Sequence, residues 1–365
     1  MKYTYTFLIL LVCFCCTAQN KYATRYYFDA HYFYGTILEH NPDISHLITQ
    51  HPEGVVLSYN RKTYGERPWE GWYNYPDYGV SFIYQDMQNE FLGDNYGLYG
   101  HMNFYFLKKH VQFRLGQGIA ITTNPYDRNS NYINNAYGSR LLSSTYIKLN
   151  YTRPALYKGI GLEAGGTIIH YSNASSKAPN NSTNTFAFTV GLTYDPNYTE
   201  ERSYIAKDST TFKNQPLRFN LAVLAGANET DVIGSGRYPF VTFSGYVEKR
   251  IGRKSALQLG ADFFVSEFLK EYIKYRSIAF PEDGIDGTED YKRVGLTAGH
   301  ELFIGDLSVV TQVGYYVYYP VPYQGRWYNR LGLKYYLYKD IFANVTVKSH
   351  GATAEGVEFG MGIRL

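Results

Sequence analysis

Val357-Glu358-Phe359-Gly360-Met361-Gly362-Ile363-Arg364-Leu365 carries an apolar side chain at every odd position and Glu, Gly or Arg at every even one. Successive side chains of a strand point to opposite faces, so the stretch reads as a β-strand with one greasy face and one polar face. Strands of a transmembrane barrel alternate in this way, apolar toward lipid and polar toward the lumen. A soluble sandwich rarely alternates so cleanly, and closing on such a strand with an apolar last residue is the expectation for an outer-membrane barrel.

Working outward, the same period recurs. Leu331, Leu333, Tyr335 and Leu337 oppose Arg330, Lys334 and Tyr336; Leu257, Leu259, Ala261, Phe263 and Val265 oppose Gln258, Gly260 and Asp262; Val111, Phe113 and Leu115 oppose Gln112, Arg114 and Gly116. The pattern predicts an all-β fold, an antiparallel transmembrane β-barrel of about 14–16 strands, bacterial barrels favouring even numbers. With no internal repeat or linker standing out, residues 19–365 are expected to form a single outer-membrane barrel domain. Leu107–His110, Ile251–Lys254 and Ile304–Asp306 are short and read as periplasmic turns. Asn124–Gly138, Asn173–Thr183 and Ser266–Asp290 are long and polar and read as extracellular loops. Gly65–Tyr78 and Asn197–Gln215 are long, yet by this count they fall on the periplasmic side.

Composition agrees. The 365 residues include 40 Tyr, 22 Phe and 34 Gly, and abundant aromatics suit the girdles of a membrane barrel. No apolar run after the N-terminal segment is long enough for a transmembrane helix. A formal net charge of +3 is too small to suggest nucleic acid. At the N-terminus, Lys2, the apolar stretch Phe7–Cys16 and the small-residue site at Cys16-Thr17-Ala18 predict an export signal over residues 1–18. A lipoprotein anchored through Cys16 is the weaker reading, because Val12, Cys13, Phe14 and Cys15 are not the small residues expected before it. All 3 cysteines lie in this segment, so the exported chain is expected to lack disulfides and thiol chemistry.

One strand carries chemistry. From Ile160, the apolar face runs Ile160, Leu162, Ala164, Gly166 and Ile168, then continues as His170 and Ser172. The turn assignment sends this strand upward and its apolar face outward, so a base and a hydroxyl sit side by side at the lipid-facing, extracellular end. The returning strand shows Phe186, Phe188, Val190, Leu192 and Tyr194 outward, and one step back in register puts Asn184 on the same face. An amide there can hold the imidazole tautomer, as Asn does in Cys-His-Asn sites, and is cheaper to desolvate than a carboxylate. Asn173 and Asn180, in the loop between the strands, are candidate donors to an oxyanion.

These residues resemble the PagL-like lipid A 3-O-deacylase family, also called acyloxyacyl hydrolases. Its signature is His-x-Ser-Asn, then a Pro-Asn pair, then an acidic residue at the start of the next strand. His170, Ser172, Asn173, Pro179 and Asn180 fall on that pattern. The resemblance implies Ser172 as nucleophile, His170 as general base, and Asn173 and Asn180 at the oxyanion. The chain departs from the pattern at Asn184, which occupies the acidic position, and in having about twice the strands of the small, roughly eight-stranded members. The motif similarity covers mainly Pro125–Asp195. The region from Gly299-His300-Glu301 through Lys348-Ser349-His350 to the end is similar to the C-terminal half of longer outer-membrane members.

Plainer readings stand beside this one. A His and a Ser two apart on a strand usually mark only a solvated strand end. The Asn-x-Ser/Thr triplets at Asn173, Asn181, Asn197 and Asn228 read as ordinary polar loop residues. His300 and His350 with Glu301 and Glu355 could suggest a metal, but the register puts His300 toward lipid near the periplasmic end and His350 in the lumen near the other, so no metal site is expected. Arg293, Glu301, Arg330, Lys334, Lys348 and Glu358 all point inward and predict a luminal charge network. The acidic loop Glu282–Asp286 lacks calcium-loop spacing.

The expectation is therefore an outer-membrane esterase acting without cofactor on an ester-linked acyl chain of lipid A, with lipopolysaccharide of the outer leaflet as partner. The alternatives are a non-enzymatic barrel (porin, transport or adhesion) and a phospholipase on the same scaffold. The acyl position and the oligomeric state are not legible in the sequence.

Overall fold

The computed structural model describes residues 26–199 and 203–365; the expected export signal and the cysteines lie outside them. Sixteen strands account for most of this chain. The first eight are β1 (Tyr26–Ile37), β2 (Glu53–Arg61), β3 (Asp77–Asp86), β4 (Asp94–Phe106), β5 (Val111–Thr122), β6 (Leu141–Tyr157), β7 (Ile160–Ser172) and β8 (Thr183–Tyr194). The second eight are β9 (Arg218–Asn228), β10 (Tyr238–Arg250), β11 (Ser255–Ser266), β12 (Arg293–Ile304), β13 (Leu307–Tyr318), β14 (Trp327–Tyr338), β15 (Ile341–His350) and β16 (Thr353–Arg364). Each strand pairs antiparallel with its neighbours.

The expected single barrel is corrected here. β8 returns to pair with β1, Phe28 opposite Tyr194, and β16 returns to pair with β9, Phe359 opposite Ala225, so the sheet closes twice as two barrels of eight. The inward side chains supply the reason. An eight-stranded barrel has an interior just wide enough for side chains to fill, whereas sixteen strands leave an aqueous channel. Phe33, Ile83, Tyr99, Tyr146, Ile169 and Tyr171 point inward in the first barrel, and Phe264, Tyr316 and Tyr328 in the second, all almost wholly buried. A wide lumen would wet those rings and forfeit about 1.5–3 kcal/mol for each large apolar side chain.

Polar groups fill the rest. In the first barrel Arg114 grips Asp29 through both terminal nitrogens, at 3.1 and 2.6 Å, and its Nε donates to Asn103 at 2.6 Å. His31 lies between the carboxylates of Asp29 and Glu163, at 3.1 and 3.0 Å. The second barrel holds the expected luminal charges. Arg330 meets Glu358 at 2.5 Å and Asp262 at 2.9 Å, Lys334 meets Glu301 at 3.0 Å, and Lys348 and Arg293 share Glu355 at 2.7 and 2.6 Å. Glu355 is also 3.5 Å from His350, while His300 faces outward on β12, away from it. Outward residues are apolar and exposed around both walls, for example Tyr32, Leu57, Leu98, Phe188, Leu259 and Leu331. Among the described residues no helix is long and apolar enough to cross a membrane.

Short turns lie at one end of both barrels and long loops at the other, as the connection lengths suggested, except that the two-residue β15–β16 turn lies at the long-loop end. The two exceptions also hold. The β2–β3 connection, containing helix α1 (Pro68–Trp72), and the segment joining β8 to β9 both lie at the short-turn end. There they brace the barrels together. Tyr73 Oη donates to Phe303 O at 2.8 Å, Ile205 bonds Tyr64 and Tyr75, and Arg253 bonds Asp208 at 2.7 Å. One long loop contains a helix the alternation did not predict, α2 (Glu267–Ala279), whose Phe268, Leu269 and Ile273 are buried.

Arg114 gives a test of this interior. Arg114→Ala leaves the Asp29 carboxylate buried without its partner and should cost about 3–5 kcal/mol, whereas replacing both residues with apolar ones should cost much less. The urea unfolding midpoints of the two variants in detergent will show whether the pair behaves this way.

Candidate active site

β7 and β8 build the site by register alone. Ile169 and Tyr171 point inward and are fully buried, so Ile168, His170 and Ser172 take the outward face. His170 pairs with Asn184 of β8 on one side and Thr145 of β6 on the other, and Thr145 pairs with Gln117 of β5. Gln117, Thr145, His170 and Asn184 therefore form one row across four strands, flanked by Leu115, Ile119, Ile147, Ile168 and Phe186. Thr145 Oγ1 donates to Gln117 Oε1 at 2.5 Å, and Ser143, paired with Ser172, lies 3.4 Å from Gln117 Nε2.

His170 Nδ1 is 2.7 Å from Asn184 Oδ1. A carboxamide oxygen only accepts, so Nδ1 carries the hydrogen and Nε2 keeps the lone pair a general base needs. Ser172 is 6 % exposed, covered by the loop that follows it. Its Oγ donates to Asn180 Oδ1 at 3.0 Å and accepts from Ala174 N at 2.9 Å. Asn180 Oδ1 also accepts from Asn173 N at 2.8 Å, which fixes the amide with its oxygen toward Ser172; its Nδ2 is 3.5 Å from Ser175 Oγ. Asn173 Nδ2 is spent on Lys177 O at 2.6 Å and Pro179 O at 3.4 Å.

All five residues named from the sequence thus fall in one place. His170 is joined to Asn184, and Ser172 to Asn180 and, through it, to Asn173. In this resting arrangement the serine proton points to Asn180 rather than to the imidazole, and neither side-chain NH2 points at Ser172 Oγ.

Four polar residues escaped the sequence reading. Gln117, Ser143 and Thr145 interrupt outward apolar faces, and that interruption, at matching register, was the available signal. His40 carries no local signal: it arrives from the β1–β2 loop, with Nε2 at 3.1 Å from Asn181 O and 3.2 Å from Ser182 Oγ. The β5–β6 loop backs the site from the other side. Asn135 O and Ala136 O accept from Asn181 N and Ser182 N at 3.2 and 3.1 Å. A Cβ on Gly138 would lie 2.4 Å from Lys177 O and 2.6 Å from Pro179 O, so only glycine permits that approach. Among the described residues no cluster of three or more His, Cys, Asp or Glu side chains could hold a metal.

Gly138→Ala should push residues 177–179 away and carry Asn180 off Ser172. Turnover should fall by about 10²-fold, the usual cost of a misplacement near 1 Å, while circular dichroism keeps its β-sheet signal.

Two family models match the chain. Residues 53–193 match the family model "Lipid A 3-O-deacylase (PagL)", and residues 217–365 match "Acyloxyacyl hydrolase, C-terminal domain". The boundary between the two matches falls in the segment that joins the two barrels. No curated protein sequence matches the chain. Among solved structures, a variant of the Rhodopseudomonas blastica porin aligns over 93 % of this chain and 99 % of its own at 9 % identity, with a TM-score of 0.19. CdiB from Acinetobacter baumannii aligns over 94 % and 60 % at 11 % identity, also with a TM-score of 0.19. Scores that low carry no structural argument. The family and the barrel fold point to the outer membrane and to lipid A as substrate; the chain belongs to the PagL family of lipid A 3-O-deacylases and is an ester hydrolase.

Proposed function

We propose that this chain, exported through residues 1–18, removes an ester-linked acyl chain from lipid A of the outer leaflet at a Ser-His-Asn site that faces the membrane. The observation that carries the reading is the His170 Nδ1–Asn184 Oδ1 bond on the outward wall, with Ser172 two residues along the same face. It orients an imidazole as a base where an acyl chain can lie against Ile168 and Phe186.

The step runs as follows. Ser172 Oγ–H leaves Asn180 and gives its proton to His170 Nε2 as Oγ attacks the acyl carbonyl carbon. The carbonyl oxygen becomes the oxyanion. The Asn173 N–H, released when Asn180 turns, and the Asn180 amide group are the donors proposed for it. Collapse breaks the bond to the sugar oxygen, which takes the proton from the imidazolium. Water, deprotonated by the same nitrogen, then frees the fatty acid and restores Ser172. Asn184 holds the ring throughout but, being neutral, stabilises the imidazolium less than a carboxylate would.

Two variants test this. Ser172→Ala should lower deacylation by on the order of 10⁴-fold or more, read by mass spectrometry of lipid A from cells and in detergent–lipid A micelles. Activity retained at the native level sinks the assignment, and loss of activity on phospholipid rather than lipid A would move the substrate. Asn184→Asp, isosteric at 2.7 Å from Nδ1, should raise the rate; an unchanged rate in a folded variant means that Asn184 does not orient the base.

A further inference from the structure

The second barrel contributes no residue to the row at His170, yet it grips the loop that covers Ser172. Glu229, at the start of the β9–β10 loop, is buried. Its Oε2 accepts from Ala178 N at 2.9 Å, and its Oε1 accepts from Gly234 N and Gly236 N at 3.0 and 3.2 Å. The Glu229 N–H donates to Ser175 O at 3.1 Å, and Ser175 Oγ donates to Ala354 O, in the β15–β16 hairpin, at 2.6 Å. Residues 175 and 178 are thus both tied to the second barrel. Between them and β8 sits Asn180, whose oxygen receives Ser172 Oγ–H and Asn173 N–H and whose nitrogen reaches Ser175 Oγ.

We propose that the second barrel takes part in the reaction through Glu229, a positioning residue whose carboxylate fixes the backbone of residues 175–180, so that the Asn180 amide turns toward the oxyanion while staying beside Ser172. The inference rests on the esterase reading above. A charged acceptor of three backbone N–H groups is stronger than a neutral one, and here two of its donors belong to its own loop and one to the site loop. The carboxylate therefore transmits the position of one barrel's loop to the other. The walls of the barrels stay apolar and exposed, so the clamp is local to the loops rather than a by-product of wall packing.

The test uses the full chain in detergent–lipid A micelles. Glu229→Ala should lower kcat by about 10- to 100-fold, as loss of near-attack geometry does, with KM little changed because substrate contacts the first barrel. Ser175→Ala, a smaller change that leaves Glu229 in place, should lower kcat by less. In an Asn180→Ala background both substitutions should have almost no further effect, since they act through Asn180; additive losses would instead mark a general folding defect and overturn the proposal. Tyr73→Phe breaks the inter-barrel bond at the opposite end and should leave the rate unchanged. If Ser172→Ala is inactive while Glu229→Ala and Ser175→Ala match wild type, this proposal fails and the esterase reading survives. If Ser172→Ala is active, the site reading itself fails and takes this one with it.

Discussion

Hydrocarbon offers no partners to a peptide group, so every strand that crosses it must be paired on both edges. That constraint closes each sheet, and closure in turn decides what the interior can be. With eight strands there is room for side chains and little else. Inward positions must then be filled by groups that satisfy one another, which is why Arg114, Asp29, His31 and Glu163 meet in one barrel and Arg330, Glu358, Lys334 and Glu301 in the other. The outward face is left free of structural duty except to be apolar. The row through His170 sets four polar side chains next to one another on that face.

Alternation was enough to locate the strands. The two-residue period from Ile160 to Ser172 survives as β7 and that from Val357 to Arg364 as part of β16, and apart from the β2–β3 connection the long hairpin loops fall at one end, as the turn assignment had them. Closure was not legible in the same way, because pairing between β1 and β8 is a contact between residues about 160 positions apart in sequence, and no local pattern encodes it. Two clues were nevertheless present. The inward face carries Phe33, Tyr99, Tyr146 and Tyr316, too bulky and apolar for a wet pore, and the polar stretch Asn197–Gln215 is far longer than a hairpin turn needs. Together they mark two filled barrels with a connector.

The same division holds at the site. His170, Ser172 and Asn184 could be placed together because strand register is a one-dimensional quantity. The loop between them could not be read. That Asn180 shows its oxygen to Ser172 depends on the Asn173 N–H, and that Ala178 is held by Glu229 depends on a segment about 50 residues downstream in another barrel. Loop geometry of this kind is set by close approaches such as Gly138 against Lys177 and Pro179, which composition does not announce. His40 enters for the same reason, by the path of a loop and not by any pattern around it.

The row Gln117–Thr145–His170–Asn184 is a single rung of the ladder, and strand tilt inclines it while His170 itself stays at a fixed depth. An ester in a membrane lipid also sits at one height, fixed by where the acyl chains end and the sugar begins. Strands rise about 3.4 Å per residue, so moving the rung by two residues would shift the scissile level by about 7 Å before strand tilt, several bonds along a lipid. On the proposed esterase reading, selectivity would come from a depth gauge rather than from a lock: the wall would need no deep pocket to choose a bond, only the correct position of His170 along its strand. The released chain would then leave sideways into the bilayer without entering water.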